Sequence, residues 1–477
     1  MLFSSLVFLY GFLPAFLLLY YLSPASWRNT TALLGSLLFY AWGEPIFAVL
    51  LLVSGTADYS LSLWIARLPL TAARRRRSLL ALALTYNLGA LAYCKYSNFF
   101  VEQFNGVLGW FQIGGIPWTQ IVLPIGISFF TFQKITYLVD VYRGTAQPTR
   151  SLRDYLLYIS LFPHLVAGPI IRFHDLADQI TGRAHTLDRF TSGLWRFALG
   201  LGRKVLLANP LGQAADQAFA TKLNALDTPH AWLGILCYTL QIYCDFAAYS
   251  DMAVGLARMF GFEFCENFSH PYASRSITEF WRRWHRSLST FMRDYLYIPL
   301  GGNRVNSWRQ VFNLWFVFLV SGFWHGASWN FIVWGAYHGF FISLEKVIGH
   351  ERVKRLPALA GWAATFLLAM LGWVFFRANN LTEAMHYLGR LAALGDGPTA
   401  SAALGELLPQ RTWVVLVIAL GTSILPESWW DRLGWTSALP ATRFQAFARV
   451  GVGATLFLLA CASLANQSYN PFIYFRF

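Results

Sequence analysis

Charged residues are scarce in this chain of 477 residues, because Asp, Glu, Lys and Arg together make up only 13%. A water-soluble protein carries about a quarter charged residues. Hydrophobic residues reach 56%, and the mean hydropathy is +0.44. Disordered chains have the opposite composition, with few apolar residues and many charges. The composition therefore excludes both classes and predicts an all-α polytopic membrane protein.

Cysteine is also sparse, with five residues and no Cys-x-x-Cys spacing. An odd number at wide spacing predicts neither a disulfide framework nor a metal site, and we expect no permanently bound cofactor. Three enzyme signatures are missing as well: Gly-x-x-x-x-Gly-Lys-Ser/Thr, Gly-x-Ser-x-Gly and His-Glu-x-x-His. Their absence disfavours an ATP-driven pump, a serine hydrolase and a zinc protease.

Basic residues give the chain a net charge of +14, and they separate apolar runs. This pattern predicts contact with anionic lipid headgroups and a positive-inside topology, and it does not predict nucleic acid binding. The four consecutive arginines at 74–77 are expected in the cytoplasm, which places the N-terminus outside. Residues 2–22 are expected to form a retained first helix. We predict roughly 10–12 spans in one domain covering residues 1–477, with some re-entrant pieces.

Two regions differ from the apolar background. Residues 392–410 are small, polar and rich in turn formers, so an exposed loop is expected there. Residues 275–300 are both charged and aromatic. Ser276 and Glu279 form a capping-box pattern, which predicts a helix start, and Trp281 and His285 then fall on one helical stripe. With arginines on the opposite face, this segment is predicted to be one interfacial helix at the membrane surface.

Two histidines are candidates for chemistry. His285 on the apolar stripe is either a packed, hydrogen-bonded histidine or a functional one. His325 ends a wholly apolar run and is followed by Gly326, while Ser328 can cap the next helix. A helix break at membrane depth occurs only inside protein or beside a wet cavity, and an ionisable group there indicates function. The alternative for His325 is a structural kink, and His338, between Gly335 and Gly339, is expected to serve packing.

Acids inside apolar runs are costly and are usually paired. Asp245 and Tyr249 are spaced for one helix face, Asp251 lies beyond them, and Asp140 precedes Arg143. Pairing with arginine is the default expectation for these acids. Between residues 299 and 304, two glycines predict a tight turn whose backbone N–H groups, together with Arg304, could face a phosphate.

Several ordered motifs together resemble the membrane-bound O-acyltransferase family, over nearly the whole chain. The matching segments are residues 124–129, 162–169, 249–255, 281–302 and 324–326. The resemblance implies a ring of helices around a central tunnel that joins the two membrane faces at the histidines. It is strongest to the bacterial branch that acetylates exported polysaccharides.

The resemblance also implies roles for particular residues. The family's invariant histidine corresponds to His325, and the second histidine of the bacterial branch corresponds to His285, so both are expected to be catalytic. Supporting positions are expected at Asp245, Tyr249, Asp294 and Trp324. Arg282, Arg283 and Arg304 are expected either to hold the phosphates of the donor, acetyl-coenzyme A, or to contact lipid headgroups.

The expected function is an inner-membrane acetyltransferase that moves acetyl groups from a cytoplasmic thioester to the far side. Its expected partner is a periplasmic transferase with a serine nucleophile, and alginate is the expected polymer, with cellulose or peptidoglycan as alternatives. A secondary transporter that uses Asp140, Asp245 and Asp251 for ion coupling is the rival class, although no internal repeat supports it.

Overall fold

The computed structural model describes residues 1–221, 226–393, 408–426, 429–430, 442–466 and 469–472. Throughout these ranges the secondary structure is helical, which confirms the all-α prediction. Most of the predicted loop at 392–410 lies outside the described residues. The chain divides into two compact units: residues 1–190 with 256–265, and residues 191–255 with 266–477. We call them unit 1 and unit 2 and describe each by itself.

Unit 1 holds the N-terminal helices. They are a π-helix Val7–Phe12, α1 Leu13–Leu22, α2 Arg28–Ala41, α3 Pro45–Arg67, a 3-10 helix Leu70–Ala72, α4 Ala73–Trp110, α5 Ile127–Arg143, α6 Leu152–Ser160, α7 Phe162–Leu165 and α8 Phe173–Thr181. Two of the three boundaries between the units fall within helices, namely α9 Leu187–Gly202 and α11 Thr228–Met259.

A buried ion pair joins three helices of unit 1. Lys134 on α5 lies 2.9 Å from Asp58 on α3, and both side chains are buried. Asn87 on α4 donates to the other oxygen of Asp58 at 2.7 Å. Charges removed from water are stable only when they are paired and hydrogen-bonded, so these contacts set how α3, α4 and α5 pack.

Unit 2 holds the C-terminal helices and both candidate histidines. Its elements are a π-helix Arg203–Ala208, α10 Asn209–Ala220, a 3-10 helix Pro271–Ala273, α12 Ile277–Arg283, α13 Arg286–Met292, a π-helix Arg293–Tyr297, α14 Ser307–His325, α15 Trp329–Ile348, α16 His350–Lys354, α17 Ala358–Arg377, α18 Leu381–Leu391, α19 Gln410–Ile424 and α20 Arg443–Asn466. A core rich in aromatic side chains packs α11, α12, α15 and α17 together.

Side-chain caps begin the helices that frame the candidate site. Asn306 accepts a hydrogen bond from the Arg309 N–H at the start of α14, and Ser328 accepts one from Asn330 at the start of α15. Ser276 accepts from the Glu279 N–H at the start of α12, as the capping pattern predicts. These caps satisfy N–H groups that have no partner within the helix.

The prediction of one continuous helix from Ser276 through His285 is wrong. The structure ends α12 at Arg283 and begins α13 at Arg286, and His285 between them is left-handed, with φ +43°. The spacing of apolar residues in this segment is helical, but backbone hydrogen bonds to a segment elsewhere in the chain interrupt the helix. The Arg286 N–H donates to the carbonyl of Asn267, and the Ser269 N–H donates to that of Arg283.

Four helices in the described part of the chain are long and apolar enough to cross a membrane. They are Pro45–Arg67, Thr228–Met259, Ala358–Arg377 and Arg443–Asn466. Shorter apolar helices, Val7–Leu22 and Gln410–Ile424, accompany them. The expected ring of 10–12 spans, the central tunnel and the orientation of the N-terminus stay predictions.

Close packing of α14 against α15 depends on two glycines. A Cβ added at Gly322 would overlap the carbonyl oxygen of Phe331, and one added at Gly335 would overlap the carbonyl oxygen of Phe318. Backbones approach this closely only where the side chain is a hydrogen atom.

We therefore expect Gly322→Ala to push α14 away from α15 and to lower the stability by about 1–3 kcal/mol. The thermal unfolding midpoint of the purified protein measures this effect. Gly421→Ala on α19 is the matched control, because among the described residues no atom outside its own helix backbone lies within 4 Å of the added Cβ. Equal midpoints for the two variants would contradict the packing argument.

Candidate functional site

His325 is the last residue of α14, directly before the break at Gly326. Its side chain is buried, with a relative exposure of 5% for the residue. Three aromatic rings enclose the imidazole: Trp324 at 4.7 Å between ring centroids, Trp334 at 5.0 Å and Phe376 at 5.2 Å. The break predicted from the sequence is therefore present, and it places an ionisable ring in apolar surroundings.

A small cavity of about 10 Å³ opens beside His325 within unit 2. A space of this size holds about one water molecule. Its walls are mainly aromatic, and its lining residues are Ile242, Phe246, Trp284, His325, Trp334, Trp373 and Phe376. Such walls keep bulk water away from a reacting group at His325.

His285 lies between α12 and α13, outside the candidate spans, and is 1% exposed. Its Nδ1 atom is 2.9 Å from the side-chain oxygen of Asn267. The ring packs edge-on against Phe246, with centroids 4.7 Å apart. Burial lowers the pKa of His285 to about 3, because an imidazolium would lose its hydration there. The imidazole is therefore neutral at physiological pH.

Unit 2 brings the two candidate histidines to the same aromatic cluster. The ring of Trp324 is 4.7 Å from that of His325 and 6.5 Å from that of His285. Phe246 contacts His285 and also lines the cavity beside His325. The predicted supporting residue Trp324 thus connects both imidazoles.

His338 lies in the same cluster but serves α15 packing. It is fully buried, with ring centroids 5.0 Å from Trp281 and 5.1 Å from Trp334. A Cβ added at Gly372 would come within 2.7 Å of its Nε2 atom, so α17 packs directly on the ring. The surroundings agree with the packing role expected from the sequence.

Two acids of α11, Asp245 and Asp251, form ion pairs within unit 2. Asp245 lies 2.8 Å from Lys204, and both side chains are buried. Asp251 contacts Arg196 at 2.7 Å and Arg203 at 2.9 Å. The expected pairing with arginine therefore holds for Asp251, whereas Asp245 pairs with a lysine.

The other predicted supporting residues have different neighbours. Tyr249 stacks on Phe472, with centroids 4.5 Å apart, and Asp294 pairs with the adjacent Arg293 at 2.6 Å. In unit 1, Asp140 pairs with His174 at 2.8 Å. A carboxylate that couples ion transport must exchange its partner, and the three acids of the transporter hypothesis each hold a basic side chain in this structure.

The three arginines proposed for donor binding differ in their exposure and in their ion pairing. Arg282 and Arg304 are exposed. Arg283 pairs with Glu279 at 2.6 Å. The turn before Arg304 is present as predicted, because Gly301 and Gly302 both have positive φ values, +108° and +53°.

Two residues of the site were missed by the sequence reasoning. Asn267 holds His285, and Lys204 neutralises Asp245. The sequence gives a weak indication of the Lys204 ion pair, because a lysine directly before an apolar run needs an acid partner. The sequence gives no indication of the role of Asn267, because asparagine is common in irregular segments.

The model of the membrane-bound O-acyltransferase family matches residues 149–376, which include both histidines. The probable alginate O-acetylase AlgI of Pseudomonas putida is 42% identical, with both chains covered completely. The chain belongs to the membrane-bound O-acyltransferase family. It is therefore an integral membrane O-acyltransferase.

Two further relatives show how far the similarity extends. The probable alginate O-acetylase AlgI of Pseudomonas aeruginosa is 46% identical, with both chains fully covered. The peptidoglycan O-acetyltransferase of Helicobacter pylori is 36% identical over 83% of this chain and 80% of its own. Relatives with different polymers in their names thus align with most of the length of this chain.

Proposed function

We propose that this O-acyltransferase takes acetyl groups from acetyl-coenzyme A in the cytoplasm and passes them across the inner membrane for O-acetylation of an exported polysaccharide. Alginate is the proposed polymer, because the relatives that are similar over their full length are named for it. The single supporting observation is His325, a buried imidazole at a helix break, beside an apolar cavity.

The acyl transfer needs a base to remove the hydroxyl proton. It needs little net driving force, because a thioester and an ester are close in free energy. The hydroxyl oxygen of the acceptor attacks the thioester carbonyl carbon, a C–O bond forms and the C–S bond breaks. His325 takes the hydroxyl proton and delivers it to the leaving thiolate, so coenzyme A leaves as a thiol. A correctly placed general base contributes about 10²–10⁴-fold to such a rate.

Two further elements support the transfer. The start of α15 at Trp329 carries the positive end of the helix dipole, which favours the oxyanion of the tetrahedral intermediate, although the Asn330 N–H is already bonded to Ser328. His285 serves in one of two ways: it polarises the thioester carbonyl as a donor, or it shares the proton as an acceptor. The aromatic walls exclude water, which would hydrolyse the thioester.

The donor and the acceptor approach from opposite faces. The exposed Arg282 and Arg304 are proposed to bind the coenzyme A phosphates, with Arg283 occupied by Glu279. The proposed acceptor is the serine hydroxyl of a periplasmic transferase, which then acetylates the polymer. Asp245 and Tyr249 are proposed to act through packing, since Asp245 is held by Lys204.

Inverted membrane vesicles from the native host test this proposal directly. When they are supplied with acetyl-coenzyme A labelled in the acetyl group, we expect the label in hydroxylamine-labile esters of the enclosed polymer, with one free thiol released per ester. Vesicles lacking the protein provide the blank. Label that stays in coenzyme A, or uptake of an intact solute without ester formation, would contradict the proposal and favour the transporter class.

A further inference from the structure

Asn267 is the centre of a buried hydrogen-bond network around His285. It is 1% exposed. Its side-chain oxygen lies 2.9 Å from His285 Nδ1, 2.9 Å from the Ser287 hydroxyl and 3.3 Å from the Ser287 backbone nitrogen. Its side-chain nitrogen donates to the Ser250 hydroxyl at 3.0 Å. Each side-chain polar atom of Asn267 therefore has a defined partner.

The orientation of this amide follows from chemistry. A backbone N–H can only donate, so the Asn267 atom that faces the Ser287 N–H must be the oxygen. The same oxygen faces His285 Nδ1, and an oxygen without a hydrogen can only accept. The proton of the neutral imidazole must therefore be on Nδ1, which leaves a lone pair on Nε2.

The backbone is arranged to keep this contact. His285 has the left-handed values φ +43° and ψ +54°, which a residue with a Cβ adopts at a cost. The Arg286 N–H donates to the backbone carbonyl of Asn267 at 2.8 Å. Main-chain and side-chain contacts to one asparagine thus hold His285 in an unusual conformation, which is typical of functional sites.

We infer that Asn267 is a positioning residue that holds His285 as the Nδ1–H tautomer, so that its Nε2 acts as a proton acceptor in acyl transfer. This inference rests on the proposed function, and it decides between the two roles left open for His285. A ring whose only N–H is already donated to Asn267 has no donor for the thioester carbonyl. It can share the hydroxyl proton with His325 as an acceptor.

The groups around His285 leave this role undisturbed. Its ring contacts include Phe246, Phe268 and Trp324, which carry no charge. Asp251, next to Ser250 in the chain, is neutralised by Arg196 and Arg203. His325 is a titratable group that also contacts Trp324, with ring centroids 4.7 Å apart.

Solid-state nitrogen NMR of the full-length, histidine-labelled protein in lipid tests the tautomer without any substrate. The His285 signals are assigned by their loss in His285→Phe. We expect shifts of an Nδ1-protonated neutral ring in the wild type and a change to the Nε2-protonated form in Asn267→Leu. An Nε2-protonated ring in the wild type would overturn the inference, whatever the donor proves to be.

Rates of acetyl transfer in the labelled vesicles test whether the contact of Asn267 with His285 affects catalysis. Asn267→Leu removes the acceptor and is expected to lower the rate constant by about tenfold or more at unchanged protein level. Asn267→Asp keeps the acceptor but adds a negative charge, which favours the imidazolium. Because the base must be neutral, the acid limb of the pH profile should move up by about one unit or more, with activity retained at pH values above that limb.

Ser250→Ala is the matched control, since it removes a partner of the Asn267 nitrogen and leaves the oxygen contact with His285 in place. We expect its pH profile to match that of the wild type. Equal losses in Asn267→Leu and Asn267→Asp at every pH would show a merely structural asparagine and overturn the inference. Absence of transfer in the wild type would instead contradict the proposed function, while the NMR result would still decide the tautomer.

Discussion

His325→Ala is expected to lower ester-bound acetate on the exported polymer by about 10²–10⁴-fold, close to complete loss, with normal insertion of the protein. The imidazole is buried at the end of α14 among Trp324, Trp334 and Phe376, where no other base can replace it from solvent. Acetate per sugar in polymer from a strain carrying only the variant measures the effect.

His230→Ala is the control for losing a histidine in the same unit. His230 bonds Asp227 at 2.6 Å at the start of α11. We expect near-normal acetate from this variant. The general-base role of His325 fails if the His325→Ala protein, present at the wild-type level, yields a normally acetylated polymer.

Lys204→Met is expected to destabilise the protein by about 3–5 kcal/mol. The ammonium lies 2.8 Å from Asp245, and both side chains are at most 4% exposed. Removing it leaves the carboxylate charge buried without the lysine, which costs far more than the loss of one packing contact. The denaturation midpoint of the detergent-purified protein measures the loss.

A second substitution separates charge from packing. Lys204→Met combined with Asp245→Leu removes both charges, and we expect it to recover most of the lost stability. Lys354→Met is the surface control, because its pair with Glu351 is exposed at both ends and is expected to change stability by less than about 1 kcal/mol. A double variant as unstable as Lys204→Met alone would refute the ion-pair argument.

The helix starts and the break could be predicted because they depend on neighbouring residues. Ser276 and Ser328 cap the helices that follow them, and α14 ends at His325 before Gly326. Caps and glycine breaks act over a few residues, so their signals are present in a short stretch of sequence.

The helix break at His285 could not be predicted from neighbouring residues. Its spacing from Trp281 is helical, yet the chain breaks there because Asn267, 18 residues earlier, bonds both its ring and the following backbone. No periodicity encodes a contact between an irregular segment and a distant turn. The same holds for Lys204, whose partner Asp245 lies on a different helix.

The sequence by itself determined that this is a helical membrane protein with His325 at a break, since apolar composition and local caps act without tertiary context. It also identified the family through ordered motifs. Only the tertiary structure decided which side chains surround the two histidines and how the acids on α11 are neutralised. These properties depend on atoms that are distant in the chain and meet only when unit 2 has folded.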